Sequence, residues 1–470
     1  MEPDDFSQPD PNLDDEANGI EKLRLFAENN DRCINYRLTR QLYRTAKPAS
    51  NFVISPYSLE LALYMMYHAT NFTSESARQI SSKAFSSEGN NPIEMNDYLI
   101  SLKNLPNNFS IPDFNSSLKA VVMIAIHDDY KLSKSYKKFI NDTFANVGYN
   151  PIVRGNFNTQ GSQIVAQIND KVKGFTSGKI KHILPNNSIS SNTAVVLLSA
   201  IHLMSAWKVP FQEVRKTEFT TLKKGRTERV TMVSQVMEVP YVATKTYQMI
   251  KLPLADERMG VYFVLPKKNS LVALNNISAG ALQYLWSEYS ESGFPERYVN
   301  VSIPEFKVEY SDNLVDDLEK IGIQDIFKAG KGDFSALFDT AYKHLCVQNV
   351  HHKSFIKVNR EGIEAAAASA FQVGMRFSLE AETNFIADHP FLFYHLLKKK
   401  GSTRPGPGLA TGEDWTAFFK HSDNTHTIVA TFDADNDWRA LYTLVGPSSH
   451  TASQNAESMV IPMISMFDIS

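Results

Sequence analysis

The sequence predicts an α+β fold, and three observations point there. Thr193–Phe211, TAVVLLSAIHLMSAWKVPF, is an apolar run followed by a turn and Trp207, which is how a strand buried on both faces reads. Val299–Val308 alternates with period two, and Met232 to Pro266 breaks into several further strand-like runs. Ahead of these lie helical patterns at 20–43, 59–67 and 133–147. With 470 residues, 43% of them hydrophobic, the chain can bury a large core, and its length alone allows two or three domains.

Composition excludes several function classes. A net charge of −3 gives no case for nucleic acid. The apolar run Ala194–Met204 is too short to cross a bilayer, so no membrane partner is expected. Two cysteines, Cys33 and Cys346, make no disulfide framework and are expected to be free buried thiols. The chain has no GxSxG and no HExxH, so no enzyme is expected. His351–His352 is not metal-ligand spacing, and no metal or cofactor is expected.

In chain order, residues 1–19 are acidic (Asp4, Asp5, Asp10, Asp14, Asp15, Glu16) without an apolar run. They read as a disordered arm rather than a signal peptide. Residues 20–43 read as an amphipathic helix. In NFVISPYSLELALYMMYHAT (51–70), Asn51–Ile54 is strand-like and Ser55-Pro56 opens a helix, with Ser55 an N-cap candidate. Residues 85–115 are polar and Asn-rich, a loop. Ala120–Ile126 is a short buried strand. Ser133–Val147 is a helix whose lysines, Lys134, Lys137 and Lys138, read as a solvated face. The Gly174–Lys179 stretch fails as a phosphate loop, because its spacing is short and Ile180 stands where Ser or Thr is needed. Leu314–Ile321 is a helix, and Asp333–Leu337 a short DFSAL segment. Seven sequons, at Asn71, Asn108, Asn115, Asn141, Asn186, Asn276 and Asn300, argue weakly for a secreted glycoprotein. The compartment expected is extracellular, with the cytoplasm as the alternative.

The chain is organised around VNREGIEAAAASAFQVGMRFSLEAETNFIADHPFLF (358–393). Its alanine run favours helix on propensity. A second pattern has period two. Ile363, Ala365, Ala367, Ser369, Phe371 and Val373 are small or apolar, while the alternate set, from Glu364 to Gly374, tolerates charge and amide. That describes a strand with one buried face, so the segment is suited to exposure in one state and a sheet in another.

An apolar strand, Gly362, an alanine-rich hinge, a variable loop and His389-Pro390-Phe391-Leu392-Phe393 together resemble the reactive loop of serpins, whose loop insertion is a strand addition that releases stored strain. The resemblance covers about residues 20–393. It implies one large domain with three β-sheets, eight or nine helices and an exposed loop at about 360–385. The hinge is then Gly362, Ile363, Glu364, Ala365, Ala366, Ala367, Ala368 and Ser369. The reactive bond, fourteen residues past Gly362 and fourteen before Pro390, is Arg376–Phe377, with Met375 one register away.

The resemblance also implies a mechanism. A trypsin-like serine protease cuts after Arg376 and forms an acyl-enzyme. The loop then enters the central sheet, and deacylation stalls. About a dozen entering residues gain on the order of twenty backbone hydrogen bonds, each worth net roughly 0.5–1.5 kcal/mol. Against a usual total stability of about 5–15 kcal/mol, the uncut state is metastable. The expected state is a monomer with a hazard of loop–sheet polymers.

Two further sets of residues follow from the resemblance. Ser55, Ser58, Ser199 and His352 form the shutter under the sheet. Ser199 replaces the family's asparagine, so its clasp on His352 is expected to be weaker or bridged by water. Glu305 and Arg360 stand where the family has lysine and glutamate, a reversed pair at the loop's point of insertion. Lys171 departs from a usual tryptophan. Residues 394–470 depart altogether. The short loop and buried last strand are replaced by a long tail through Lys398–Lys400 and GSTRPGPG (401–408), in which Thr427–Phe432 or Leu441–Val445 is the substitute strand. A non-inhibitory serpin, carrier- or chaperone-like, and an isoform inactivated by this end are the alternatives.

Overall fold

The structure is a computed structural model. It describes Leu38, Gln41 and residues 51–85, 110–222, 226–270, 273, 295–364, 381–397 and 426–432, with short breaks at 52, 112–115, 145–148, 257–258, 341 and 343. The acidic arm, most of the 20–43 helix, the alanines of the hinge with Ser369, the Arg376–Phe377 bond and Leu441–Val445 lie outside the described residues.

The elements run β1 (Val53–Ile54), α1 (Pro56–Tyr67), α2 (Glu75–Ala84), β2 (Ser110–Ile111), β3 (Ser116–His127), α3 (Lys134–Phe144), β4 (Ile152–Gly155), α4 (Phe157–Phe175), β5 (Val195–Ala206), β6 (Glu213–Thr220), β7 (Thr227–Ala243), β8 (Tyr247–Pro253), β9 (Met259–Pro266), β10 (Glu296–Pro304), β11 (Phe306–Asn313), α5 (Val315–Lys320), β12 (Val347–Asn359), β13 (Gly362–Ile363), β14 (Thr383–Ile386), β15 (Phe391–Leu397) and β16 (His426–Phe432). They build three sheets. Sheet A is ordered β11-β12-β13-β5-β3-β2, with β4 on β3. Sheet B is ordered β1-β16-β15-β9-β8-β7, and sheet C sets β6, β7, β10 and β14 side by side. The 17-residue β7 belongs to both B and C. Its long first part pairs with β6 and β10, and Tyr241–Ala243 pair with β8.

The alternation of β5 explains how sheet A is covered. Val195, Leu197, Ile201 and Leu203 join the main core with α1, whereas Val196, Leu198 and Ala200 pack with Ile164, Val165 and Ile168 of α4. Helix α1 is held at its start by the Ser55 side chain, which accepts the Ser58 N–H at 3.2 Å, with Pro56 in the first turn where no N–H is needed. One expected strand is divided. Val299–Val308 breaks at Glu305, and its halves join different sheets, because Pro304 has no N–H to continue the ladder.

At the far end of the chain, β16 lies between β15 and β1, antiparallel to both, with Val429 opposite Tyr394 on one side and Ile54 on the other. A strand paired on both sides satisfies backbone groups on two neighbours as well as its own. Val429→Pro removes one such ladder N–H. Each buried partner left unpaired costs roughly 1–3 kcal/mol, so the variant is expected to unfold at a clearly lower urea midpoint than wild type. An unchanged midpoint would show that β16 contributes nothing to sheet B.

Candidate functional site: the seam and mouth of sheet A

The seam lies between β12 and β5, which pair in parallel from Val347↔Val195 to Phe355↔His202. His352 stands directly opposite Ser199 across it. The Ser55 N–H donates to His352 Nε2 at 3.2 Å. That fixes the tautomer, so Nδ1–H donates to Ser199 Oγ at 3.1 Å. The Ser58 hydroxyl donates to the Ser55 carbonyl at 3.2 Å, which leaves Ser199 O–H to donate to Ser58 Oγ at 2.7 Å. Four buried residues thus close a ring that begins and ends on the backbone of Ser55 and links β5, β12 and the start of α1. The water bridge that was one expectation for Ser199 is corrected: the serine reaches His352 directly, and Ser58 supplies a second contact to it. Burial pushes His352 down to about 4, so the ring is neutral, as this network requires.

Above the seam the chain turns at Arg360–Glu361 and returns as β13, which fits between β12 and β5, with Ile363 opposite Val358 and Ser205. Gly362 and Ile363 therefore already occupy the top of the slot, and Ile363 is fully buried. The other end of the expected 360–385 loop is also in a sheet, since Thr383 begins β14 beside β10. A Cβ on Gly362 would stand 2.3 Å from the Ser205 carbonyl oxygen and 2.6 Å from Ala206 Cα, so only glycine lets β13 approach β5 this closely.

The turn is fully partnered. Trp207 Nε1–H donates to the Asn359 carbonyl (2.9 Å). The Phe211 N–H donates to the Arg360 carbonyl (3.0 Å), and the Trp207 N–H to the Glu361 carbonyl (2.9 Å). Asn359 Oδ1 accepts the amides of Glu361 and Gly362 at 2.9 and 3.0 Å. Glu305 accepts the last amide, that of Arg360, at 3.1 Å. The expected side-chain pair of Glu305 with Arg360 is therefore corrected. The two meet, but through the Arg360 backbone, and the guanidinium Nε instead pairs with Glu361 Oε1 at 2.8 Å. A turn amide with no strand partner outcompetes a solvated guanidinium for the carboxylate.

Sequence reasoning named Glu364 and Cys346 but missed His202 and Lys179, the partners of the first. Glu364, next in the hinge, is almost wholly buried and has left-handed backbone (φ 51°). Its carboxylate lies 2.5 Å from His202 Nε2 and 2.5 Å from Lys179 Nζ. A histidine inside the apolar run of β5 was the available signal. Cys346 is a half-buried free thiol, and burial raises its pKa. Among the described residues no cluster of His, Cys, Asp and Glu has metal-binding geometry, and no helix is long and apolar enough to cross a membrane.

With this geometry in hand, comparison with known proteins is direct. The profile of the family described as Serpin (serine protease inhibitor) matches residues 29–403. The leukocyte elastase inhibitor of Homo sapiens is 30% identical over 366 residues, covering 76% of this chain and 91% of that protein. Among solved structures, the thermophilic serpin tengpin in its native state superposes with a TM-score of 0.67 at 20% identity, over 92% of this chain and 97% of that one. Uncleaved ovalbumin gives 0.67 at 20% identity, over 85% and 98%. The chain belongs to the serpin family, which is described as one of serine protease inhibitors and not of enzymes.

Two predictions follow from the ring and the turn. His68 and His352 are pushed down to about 4 and His395 to about 3 by burial, while an unfolded histidine titrates near 6.5. The unfolded chain thus binds more protons below about pH 6.5. Stability is fully present above that value and is lost progressively as the pH falls toward 4. Urea midpoints at pH 7.5 and 5.0 should differ accordingly, with the His352 resonance still neutral at pH 5. In the turn, Glu305→Ala is expected to lower stability by about 1 kcal/mol, while Arg360→Ala has little effect. Equal losses would restore the side-chain pair.

Proposed function

We propose that this serpin is a suicide inhibitor of trypsin-like serine proteases, cleaved at Arg376–Phe377. The observation that carries the reading is the seated hinge: Gly362 and Ile363 already pair with both β12 and β5 above a seam held by one polar ring. A loop cut in its exposed part has its first two residues in register and needs only the seam to open downward. In the inserted strand Ala365, Ala367, Ser369, Phe371 and Val373 would follow Ile363 on the inward face, and none of them brings a charge that has to be buried.

In the proposed step the protease serine attacks the Arg376 carbonyl. The bond to the Phe377 nitrogen breaks, the new amine takes the proton held by the protease histidine, and Arg376 remains as an ester. Insertion of the released strand carries that ester away from the protease's catalytic groups before water can cleave it. Arg376 suits a specificity pocket with an aspartate at its base.

The name of the leukocyte elastase inhibitor among the relatives favours a second reading. In it an elastase-like protease cuts at or beside Met375. Of the two compartments, the cytoplasmic reading is preferred over the extracellular one. Asn141 lies inside helix α3, and Asn300 lies inside β10 with its side-chain amide bonded to Asn384 at 2.9 Å. These sequons therefore give no support to a secreted glycoprotein, and the residues between β15 and β16 carry no argument for either compartment.

Incubation with trypsin, followed by a denaturing gel, is expected to give a covalent band of summed mass and a released fragment beginning at Phe377. Arg376→Ala abolishes both. A band with elastase but not trypsin would replace the first reading with the second. Cleavage without any covalent band would make the chain a non-inhibitory serpin.

A further inference from the structure

We propose that Glu364, His202 and Lys179 form a latch that arrests the reactive loop after two residues of insertion. The inference rests on the reading of the loop as one that enters sheet A, and it adds three residues that position its hinge. β13 ends at Ile363. Below it β12 and β5 pair directly with each other, and Glu364 leaves the strand through left-handed backbone, a conformation that non-glycine residues seldom hold without support. The support is visible on both sides of the residue. Its N–H donates to the Lys357 carbonyl at 2.7 Å. Its carboxylate accepts from His202 Nε2–H and from the Lys179 ammonium, both at 2.5 Å.

Each contact comes from a part of the molecule that insertion must move. His202 lies on β5, one wall of the slot, where the Phe355 of the opposite wall is its register partner. Lys179 lies in the connection from α4 to β5. That connection is also tied to the other wall, through the bond from Lys353 Nζ to the His182 carbonyl at 2.8 Å. For Ala365 to follow Ile363, Glu364 must adopt extended backbone, and its carboxylate must leave this position. Among the described residues, the charged and titratable groups here come from four places. Glu364 comes from the hinge and Lys179 from the connection. Lys119 of β3 stands beside His202 in register and donates to Ser177 at 3.1 Å, and His202 itself comes from β5. His202 Nδ1 is buried without a hydrogen-bond partner. An orphaned ring nitrogen is tolerated there because the opposite nitrogen holds the glutamate.

The test compares amide hydrogen exchange of residues 362–364 in the full-length wild type with that in Lys179→Met, Lys179→Arg and Glu364→Gln. Lys179 is partly exposed, so its variants leave the core intact. Lys179→Met and Glu364→Gln should speed exchange of this segment by about tenfold, the scale of one charge-assisted hydrogen bond. Lys179→Arg should return it to near the wild-type rate, which a mere loss of packing would not allow. Wild-type exchange in Lys179→Met and Glu364→Gln, or no rescue by arginine, would overturn the latch. In the same samples the rate of covalent complex formation with trypsin is recorded, and it should rise in the two weakened variants. A complex that forms at equal rates in all four would show that the latch does not restrain insertion. If no complex forms in any of them, the inhibitory reading fails, while the exchange rates still decide the latch.

Discussion

The bond from His352 to Ser199 crosses the boundary between β12 and β5 that the proposed loop insertion would break. β12 and β5 are neighbours in a sheet, paired in parallel, with β5 buried on both faces and β12 on one, and such neighbours ordinarily stay together. Here they are held at mid-length by a polar ring rather than by interlocked apolar side chains. A hydrogen bond exchanged between partners contributes little net free energy, but one left unmade in the interior is expensive. The ring therefore keeps the sheet shut cheaply and lets it open only if an incoming strand replaces the lost partners. The neutral state of His352 belongs to the same arrangement, since a second ring proton on Nε2 would face the Ser55 N–H, donor against donor.

At the mouth of the slot the problem is different. A two-residue turn at the end of a sheet exposes amides and carbonyls that no strand can take up. Trp207, Phe211, Asn359 and Glu305 take up all six. This explains why the turn is rigid enough to aim β13 into a gap where Gly362 has no room for a side chain. The alanines that follow need the reverse property, freedom to be either loop or strand. The change from one regime to the other falls at Glu364.

Much of this was legible in the sequence. Continuous apolarity in β5 and alternation in β10 gave strands of the right kind. Ser55-Pro56 gave the start of α1, and Gly362 and Ile363 of the expected hinge form β13, while the alanines after them lie outside the described residues. Three features were not legible, each for a physical reason. The break at Glu305 depends on which sheet each half joins, and alternation carries no such information. The pairing of Glu305 with a backbone amide was hidden because charge signs suggest side-chain partners and say nothing of orphaned amides. The contact of Glu364 with His202 and Lys179 joins residues 162 and 185 positions apart, and its cause, a left-handed residue, leaves no mark on the period of the pattern. Ser199 was noticed as a departure, but its contact with Ser58 was not, because Ser58 approaches from another element.

The position of β16 also bears on how the protein is made. Val429 pairs with Ile54, 375 residues before it in the chain. A ribosome adding roughly 5–20 residues each second needs about 20–75 s to travel from one to the other. For that interval the edge of β1 that β16 will cover has no β16 to pair with, whereas β15, 35 residues before Val429 at Tyr394, waits only about 2–7 s. A nascent serpin of this kind must pass through its synthesis with an open ladder beside its core, and the last of the described strands to emerge is the one that closes it.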